Sequence, residues 1–354
     1  MLVFIGIGLE QSPSLRAIQE LKTCDIIYFE SYTSPVLDER AVLDTTSGQI
    51  GGKIIQRVKR EFVEEGWKIL QQAKIKKVAL VSSGDPLVAT THQELRTRAI
   101  HERIETRVVH ASSILTAVGG EFGLHSYSFG RIVTMTEEPM QYTAYNTIYQ
   151  NLLAGLHSTL LLQWDESRNF FLTPDRAIKN LESAEKDIKY GIIRPKTLFL
   201  TASRLGSDSP TLRASLIEEL PEVKIGEPPL VMVIPGSLHF TEKEALGAIV
   251  GRDPNWFPDN TEAIQKLSRS MLDRYSSKTK GALQRARKAA LALSSEKGEQ
   301  KVRFDQVFEN VECYLQDSLR FMNEGKEELA VLSIGYAEGL LDSLRFAGLV
   351  EFEW

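Results

Sequence analysis

Cysteine is scarce: only Cys24 and Cys313 occur in 354 residues, and neither sits in a CxxC or Cys/His spacing. That usage excludes a disulfide scaffold and a structural zinc site, and it points to a reducing compartment. The six histidines, at His92, His101, His110, His125, His157 and His239, include no pair three or four residues apart. A helical metal site is therefore not expected. No glycine-rich loop closes on Lys-Ser/Thr, and no G-x-S-x-G elbow occurs, which excludes a P-loop nucleotidase and a serine hydrolase. No apolar run is long enough to span a membrane, and the first residues lack the features of a secretion signal, so a cytoplasmic protein is expected. A strong excess of one charge is also missing. The net charge of -5 argues against a nucleic-acid binder using its whole surface but leaves a local basic patch open.

What is present is the composition of a globular protein, 42% hydrophobic and 25% charged, in a chain long enough for two or three cores. Leu2 to Ile5 reads as a strand ending in Gly6-Ile7-Gly8-Leu9, followed by a helix from Ser14 to Thr23 whose inner face is Leu15, Ile18 and Leu21. A second strand, Asp25 to Glu30, ends in an acid. This layout imitates a dinucleotide fingerprint, but the third glycine is missing and a loop delays the helix, which counts against NAD. Val78 to Val81 is a further strand, and it leads into Gly84-Asp85-Pro86-Leu87-Val88-Ala89-Thr90-Thr91-His92. Gly, Pro and Asp make a tight turn there, with a helix expected from Ala89 onward to Ala99. Turns at the carboxyl ends of strands are where open α/β sheets bind ligands, although the GDP triplet alone also suits an ordinary capped turn. Thr106 to His110 runs into the small residues Ala111, Ser112 and Ser113.

The glycines from Gly119 to Gly123 suggest a first boundary, giving an α/β domain over 1–120. A second α/β domain is expected over 121–257, with strands at 131–135, 159–163, 197–202 and 230–235 and helices at 142–154 and 174–189. A cleft between the two halves suits a small polar cofactor with an adenosine part. After Trp256-Phe257-Pro258 the pattern turns wholly helical, so 258–354 reads as an all-α bundle. Its stripes are Ile264, Leu267, Met271 and Tyr275 continuing to Leu293; Phe304 to Met322; and Ile334 to Leu344. The first tail helix carries Arg269, Arg274, Lys278, Lys280, Arg285, Arg287 and Lys288. These form either a solvated face or an arm for RNA or an acidic partner.

The runs LVFIGIGL, Tyr28 to Ser34 (YFESYTS), GDPLVATTH and His110 to Ile114 (HASSI) closely resemble the diphthine synthase family. That family belongs to the tetrapyrrole-methylase-like methyltransferases. The resemblance runs from residue 1 to about residue 250 and includes Gly155-Leu156-His157, Gly226 to Pro229 and Pro235 to His239; the helical tail stands apart from it. It implies S-adenosylmethionine as cofactor, with contacts at Leu9, Asp85, Val88, Ser113, Ile114, Leu162, Leu205 and Leu230. It further implies a homodimer, and methylation of the amino group of a modified histidine on translation elongation factor 2. No side chain is identified as the base. This chain departs from the family pattern at Ser112, where the family has Pro, at Gln163, where it often has Asp, and at Leu230, where it often has His. The stretch 135–147 also matches poorly. A tetrapyrrole methyltransferase of the same fold and a non-enzymatic scaffold acting through the tail are the alternatives.

Overall fold

The computed structural model describes residues 1–36, 39–222, 226–262, 267–293 and 298–354. The chain divides into two compact units, Met1–Ile264 and Gln265–Trp354. The first unit opens with β1 (Leu2–Gly6), α1 (Leu15–Thr23), β2 (Ile26–Glu30), α2 (Glu39–Gln49), β3 (Ile55–Val58), α3 (Arg60–Glu65), α4 (Trp67–Ile75), β4 (Val78–Ser82), α5 (His92–His101), β5 (Thr106–Val109) and α6 (Ile114–Glu121). Its strands form a five-stranded parallel sheet in the order β3-β2-β4-β1-β5. The uninterrupted apolar run of β1 follows from burial on both faces. Leu2 and Phe4 join α4 and α5 on one side, while Val3 and Ile5 join α1 on the other.

Two expectations shift locally. Leu15 is 81% exposed, because the inner face of α1 is made by Ala17, Glu20 and Leu21. Glu20 is buried there because Lys77, Arg107 and Arg16 all pair with it. The helix expected from Ala89 begins only at His92, since Ala89 has φ +54° and belongs to the turn. The sequence pattern assigns no element to 39–75, where the structure has α2, β3, α3 and α4.

The second half follows with β6 (Val133–Met135), α7 (Tyr142–Leu153), β7 (Ser158–Leu162), β8 (Trp164–Asp165), β9 (Phe170–Phe171), α8 (Pro174–Ile188), β10 (Leu198–Ser203), β11 (Thr211–Leu216), β12 (Leu230–Ile234) and α9 (Phe240–Val250). Its main sheet is mixed, in the order β11-β10-β12-β7-β6, and β8 and β9 form a separate small hairpin. One face of the sheet packs on α7 and α8. The other packs on Val118 of α6, Phe122, Leu246 of α9 and Phe257. Residue 120 thus lies inside a helix whose apolar side is shared with the second sheet. The motif glycines and histidines of this half meet one another: His157 accepts from the Gly236 amide at Nδ1 (2.9 Å) and donates from Nε2 to Glu242 at 3.1 Å. Burial works to raise the Glu242 pKa, but the amides of His125 and His239 together with His157 outweigh it and hold it below the usual carboxylate range. Beyond Phe257, the buried Asn260 bonds Leu198 through both its oxygen and its nitrogen, so the first unit extends past the Trp256–Pro258 break.

Among the described residues the second unit is three helices, α10 (Leu267–Leu293), α11 (Gly298–Asn323) and α12 (Glu327–Phe346), with Gly325 at φ +73° in the turn between the last two. Ala282, Ala286, Phe308, Val311, Ala337 and Leu341 are among the residues of its own core. Ile264 lies outside the described residues, as do the side chains of Leu267, Arg269, Met271 and Leu293. Leu319 is 47% exposed, off the core face of its helix. The basic face of α10 is partly engaged within the bundle: Arg287 pairs with Glu312, Arg285 bonds the Glu353 carbonyl, and Lys278 lies over Trp354. Among the described residues no helix is long and apolar enough to cross a membrane.

Candidate active site

Because β1 lies between β4 and β5, the loops leaving these three parallel strands converge at one end of the sheet. Gly8 and Gly84 exchange backbone hydrogen bonds across the first two loops, at 3.2 and 3.1 Å. Both have positive φ, +74° and +65°, a conformation that glycine adopts without strain. Gly6 approaches so closely that a Cβ there would meet the Gly84 carbonyl, Ala111 and Pro86. Asp85 is the tie between the second and third loops. Its Oδ1 accepts from the Leu87 amide (3.0 Å), and Oδ2 accepts from the Ala111 amide (3.2 Å) and lies 2.8 Å from His110 Nδ1. Ser113 caps α6 by accepting from the Leu115 amide.

The second sheet supplies the facing wall. Its register sets Ser203 against Leu230 and Val231 against Leu161, which brings the ends of β7 and β10 to the start of β12. Leu162, Leu205 and Leu230 therefore share one edge. The halves touch closely where Gly206 (φ +85°) meets Leu9; a Cβ on Gly206 would lie 2.6 Å from the Leu9 carbonyl carbon. Between these walls is a cavity of about 1250 Å³. Leu9, Asp85, Val88, Ser113 and Ile114 line it from the first half, and Leu162, Leu205 and Leu230 line it from the second.

Sequence reasoning missed the other end of this cavity. Arg57 and Lys59 at β3, Arg60 of α3, and the hairpin residues Trp164, Asp165, Glu166 and Phe171 also line it. The hairpin reaches across the cleft: Trp164 Nε1 donates to the Ser31 carbonyl (3.1 Å), Ser31 Oγ donates to Glu166 (3.0 Å), and Arg57 pairs with Glu166. The Trp164-x₆-Phe171 aromatic spacing was the available signal, since the two half-buried rings stack at 4.2 Å. The departure at Gln163 has a structural use, because its Oε1 accepts from the Glu137 amide at 2.8 Å.

Residues 1–220 match the family of Tetrapyrrole (Corrin/Porphyrin) Methylases, and residues 274–350 match a family described as a protein of unknown function, DUF357. Diphthine synthase of Methanothermobacter thermautotrophicus is 37% identical over 256 residues, covering 71% of this chain and 96% of that one. Diphthine synthase of Methanocella arvoryzae is 38% identical over 258 residues, covering 71% and 98%. A crystal structure of diphthine synthase superposes with a TM-score of 0.64 at 28% identity, covering 74% of this chain and 99% of that one. With two α/β halves closing on one cavity and relatives matched over nearly their whole length, the chain belongs to the diphthine synthase family of tetrapyrrole methylases and is a methyltransferase.

Proposed function

We propose that the chain transfers methyl groups from S-adenosylmethionine to the amino group of the modified histidine of elongation factor 2, a step of diphthamide biosynthesis repeated to give diphthine. The observation that carries this reading is the cavity itself. The residues that family resemblance assigns to the cofactor come from separate loops and both sheets, yet all line one space. The chemistry of the lining suits the cofactor. Leu9, Val88, Ile114, Leu162, Leu205 and Leu230 give apolar walls for a nucleoside, and Ser83, Ser113, Thr134 and Thr136 offer hydroxyls for its polar groups. The volume exceeds what a nucleoside-sized ligand fills, leaving room for an acceptor side chain.

When bound, S-adenosylmethionine supplies a methyl group already activated by its sulfonium. The protein contributes alignment and exclusion of water, and the leucine walls serve the second purpose. Asp85 acts through the loops it ties together, with its acceptor capacity directed at Leu87, His110 and Ala111. The α/β unit works as a homodimer through an interface of roughly 2,000 Å² or more, and light scattering that finds a monomer at micromolar concentration would remove this part. The basic face of α10 assists docking on an acidic surface of the factor or on RNA.

Incubation with methyl-labelled S-adenosylmethionine and elongation factor 2 from a strain lacking this enzyme should place label on the modified histidine. Label on an added corrin or porphyrin, with none on the factor, would favour a tetrapyrrole acceptor. Cofactor binding without transfer to either would favour a scaffold.

A further inference from the structure

The two sequence runs most specific to this family meet at a buried pair that the methyl-transfer geometry leaves unused. Glu30, from the YFESYTS run, and His92, from the GDPLVATTH run, are both fully buried, with Glu30 Oε1 3.5 Å from His92 Nε2. The other Glu30 oxygen accepts from the Thr33 amide at 3.0 Å, whereas Oε1 has no hydrogen-bond partner among the described residues. The tautomer of His92 follows from its surroundings. Nδ1 lies 2.8 Å from the Pro86 carbonyl, which only accepts, so Nδ1 carries the hydrogen and Nε2 presents a lone pair in the neutral ring.

The same nitrogen, close to Glu30, is also within reach of a residue of the cavity wall. Tyr32 OH is 3.4 Å from His92 Nε2 and 3.5 Å from Thr91 Oγ1, and both Tyr32 and Thr91 line the cavity. A chain of exchangeable groups thus runs from the cavity through Thr91 and Tyr32 to His92 and ends on an unpartnered carboxylate oxygen. Such contacts commonly tighten when substrate is bound.

We infer that Glu30, reached through Thr91, Tyr32 and His92, is the terminal acceptor for the proton that the substrate amine releases on methylation. The inference rests on the amine-methylating reading above. In the transfer, the nitrogen–methyl bond forms as the sulfur–methyl bond breaks, the sulfonium becomes a neutral thioether, and the amine nitrogen becomes cationic. In each transfer to an amine that still carries a hydrogen, its proton passes to Thr91 Oγ1, the Thr91 proton to Tyr32, and the Tyr32 proton to His92 Nε2, which gives the same proton up to Glu30 Oε1 while Nδ1 keeps its own hydrogen on the Pro86 carbonyl. The amine ends neutral and Glu30 ends protonated, ready to return the proton to water before the next methyl group. Tyr32 relays without ionising, because burial pushes its pKa above the ordinary value.

Among the described residues, few charged groups surround this relay. Glu166, itself paired with Arg57, acts on Glu30 through its charge; Arg60 lies over the Tyr32 ring at 5.2 Å and pairs with Glu64; and Phe4 packs against His92. Burial is the main influence on both ends of the pair, raising Glu30 to about 7 and lowering His92 to about 4. The carboxylate is therefore the stronger base of the two and titrates where the enzyme would work.

The test is the pH dependence of methyl transfer to elongation factor 2 at saturating S-adenosylmethionine, for the wild type, Glu30→Gln, Tyr32→Phe and Thr91→Val. The wild type should show a rising limb near pH 7 in addition to the one set by the amine. Glu30→Gln should lose that limb and be slower by about 10²-fold at neutral pH, the usual scale for losing a positioned proton acceptor. Tyr32→Phe should show the same loss without touching the carboxylate, and calorimetry should give wild-type cofactor affinity for Glu30→Gln, whose side chain lies outside the cavity lining. A Glu30→Gln or Tyr32→Phe enzyme with the wild-type profile overturns the inference alone. Slow variants whose rates fall equally at every pH also overturn it, because they indicate a purely structural pair. A wild type that binds cofactor yet leaves the factor unlabelled overturns the acceptor assignment and this inference with it.

Discussion

Ser112 Oγ lies 2.9 Å from the Leu9 amide nitrogen and 2.6 Å from Glu10 Oε2, so one hydroxyl both accepts from the first loop and donates to it. This is the position where the family pattern has proline, which has no side-chain hydroxyl to make either bond. The third loop of the site is thereby fastened to the first. Ser112→Ala should free Leu9, a cavity wall, and weaken S-adenosylmethionine binding several-fold, with a stability loss of about 1 kcal/mol. Calorimetric titration checks this. Wild-type affinity in Ser112→Ala would mean that the loop holds its place without the bond.

Asp85 is more than a turn residue, since its carboxylate joins two loops through Leu87, Ala111 and His110. Removing it leaves two partly buried amides without their acceptor. Asp85→Ala is expected to keep the fold, to lower stability by about 2–3 kcal/mol, and to weaken cofactor binding more than tenfold. Asp85→Asn retains an acceptor and should fall between the two. A titration that finds unchanged affinity in Asp85→Ala would remove Asp85 from the site.

Glu30 and His92 give stability opposite dependences on pH. A carboxyl raised from 4.5 to about 7 in the folded state contributes stability that is fully present below pH 4.5 and is lost as pH rises through about 7. An imidazole lowered from 6.5 to about 4 contributes stability present above pH 6.5 and lost as pH falls through about 4. Replacing Glu30 by Gln removes only the alkaline loss. The melting temperature of Glu30→Gln relative to wild type should therefore increase between pH 5 and pH 8, by roughly 5 °C. A difference that stays constant across that range would show that Glu30 titrates as an ordinary exposed carboxyl.

Gly206 has φ +85° and sits against the Leu9 backbone. In Gly206→Ala the added methyl group is strained by the backbone and has no room, so Leu9 must move away from the second half. We expect a loss of about 1–3 kcal/mol in stability and a matching fall in cofactor affinity. Gly251→Ala, with φ +71° but open space around it, isolates the backbone part of the effect. Equal affinities for the two variants would mean that the Leu9 contact is immaterial to the site.

The tail, 265–354, has a core of its own, which includes Phe304, Phe308, Ile334 and Leu341. A chain ending at residue 264 should therefore keep its affinity for S-adenosylmethionine and show a raised apparent KM for elongation factor 2 at low salt, with the difference fading as salt is added. Loss of cofactor binding on truncation would assign the tail to the cavity architecture. An unchanged KM at every salt concentration would reduce the basic face of α10 to a solvated surface.

The residues themselves determined the local units. β1 and β4 were legible because strands buried on both faces read as continuous apolar runs, and the tail because its apolar residues recur at helical spacing over three long segments. The turn residues were legible too, since Gly8 and Gly84 are chosen for backbone geometry that is fixed within a few positions. Even so, Ala89 in a left-handed conformation delayed α5 to His92, because the bond from His92 to Pro86 and the close loop packing outweigh the helical preference of the intervening residues. Only tertiary structure decided which turns meet. The placement of β1 between β4 and β5 brings Leu9, Asp85 and Ser113 together from positions more than a hundred residues apart, and the antiparallel register of β7, β10 and β12 sets Leu162, Leu205 and Leu230 opposite them. Likewise Glu30 and His92 are ordinary polar residues in sequence. Sheet pairing and burial strip away their water and leave them facing each other, and that desolvation, which no spacing encodes, shifts their proton affinities in opposite directions.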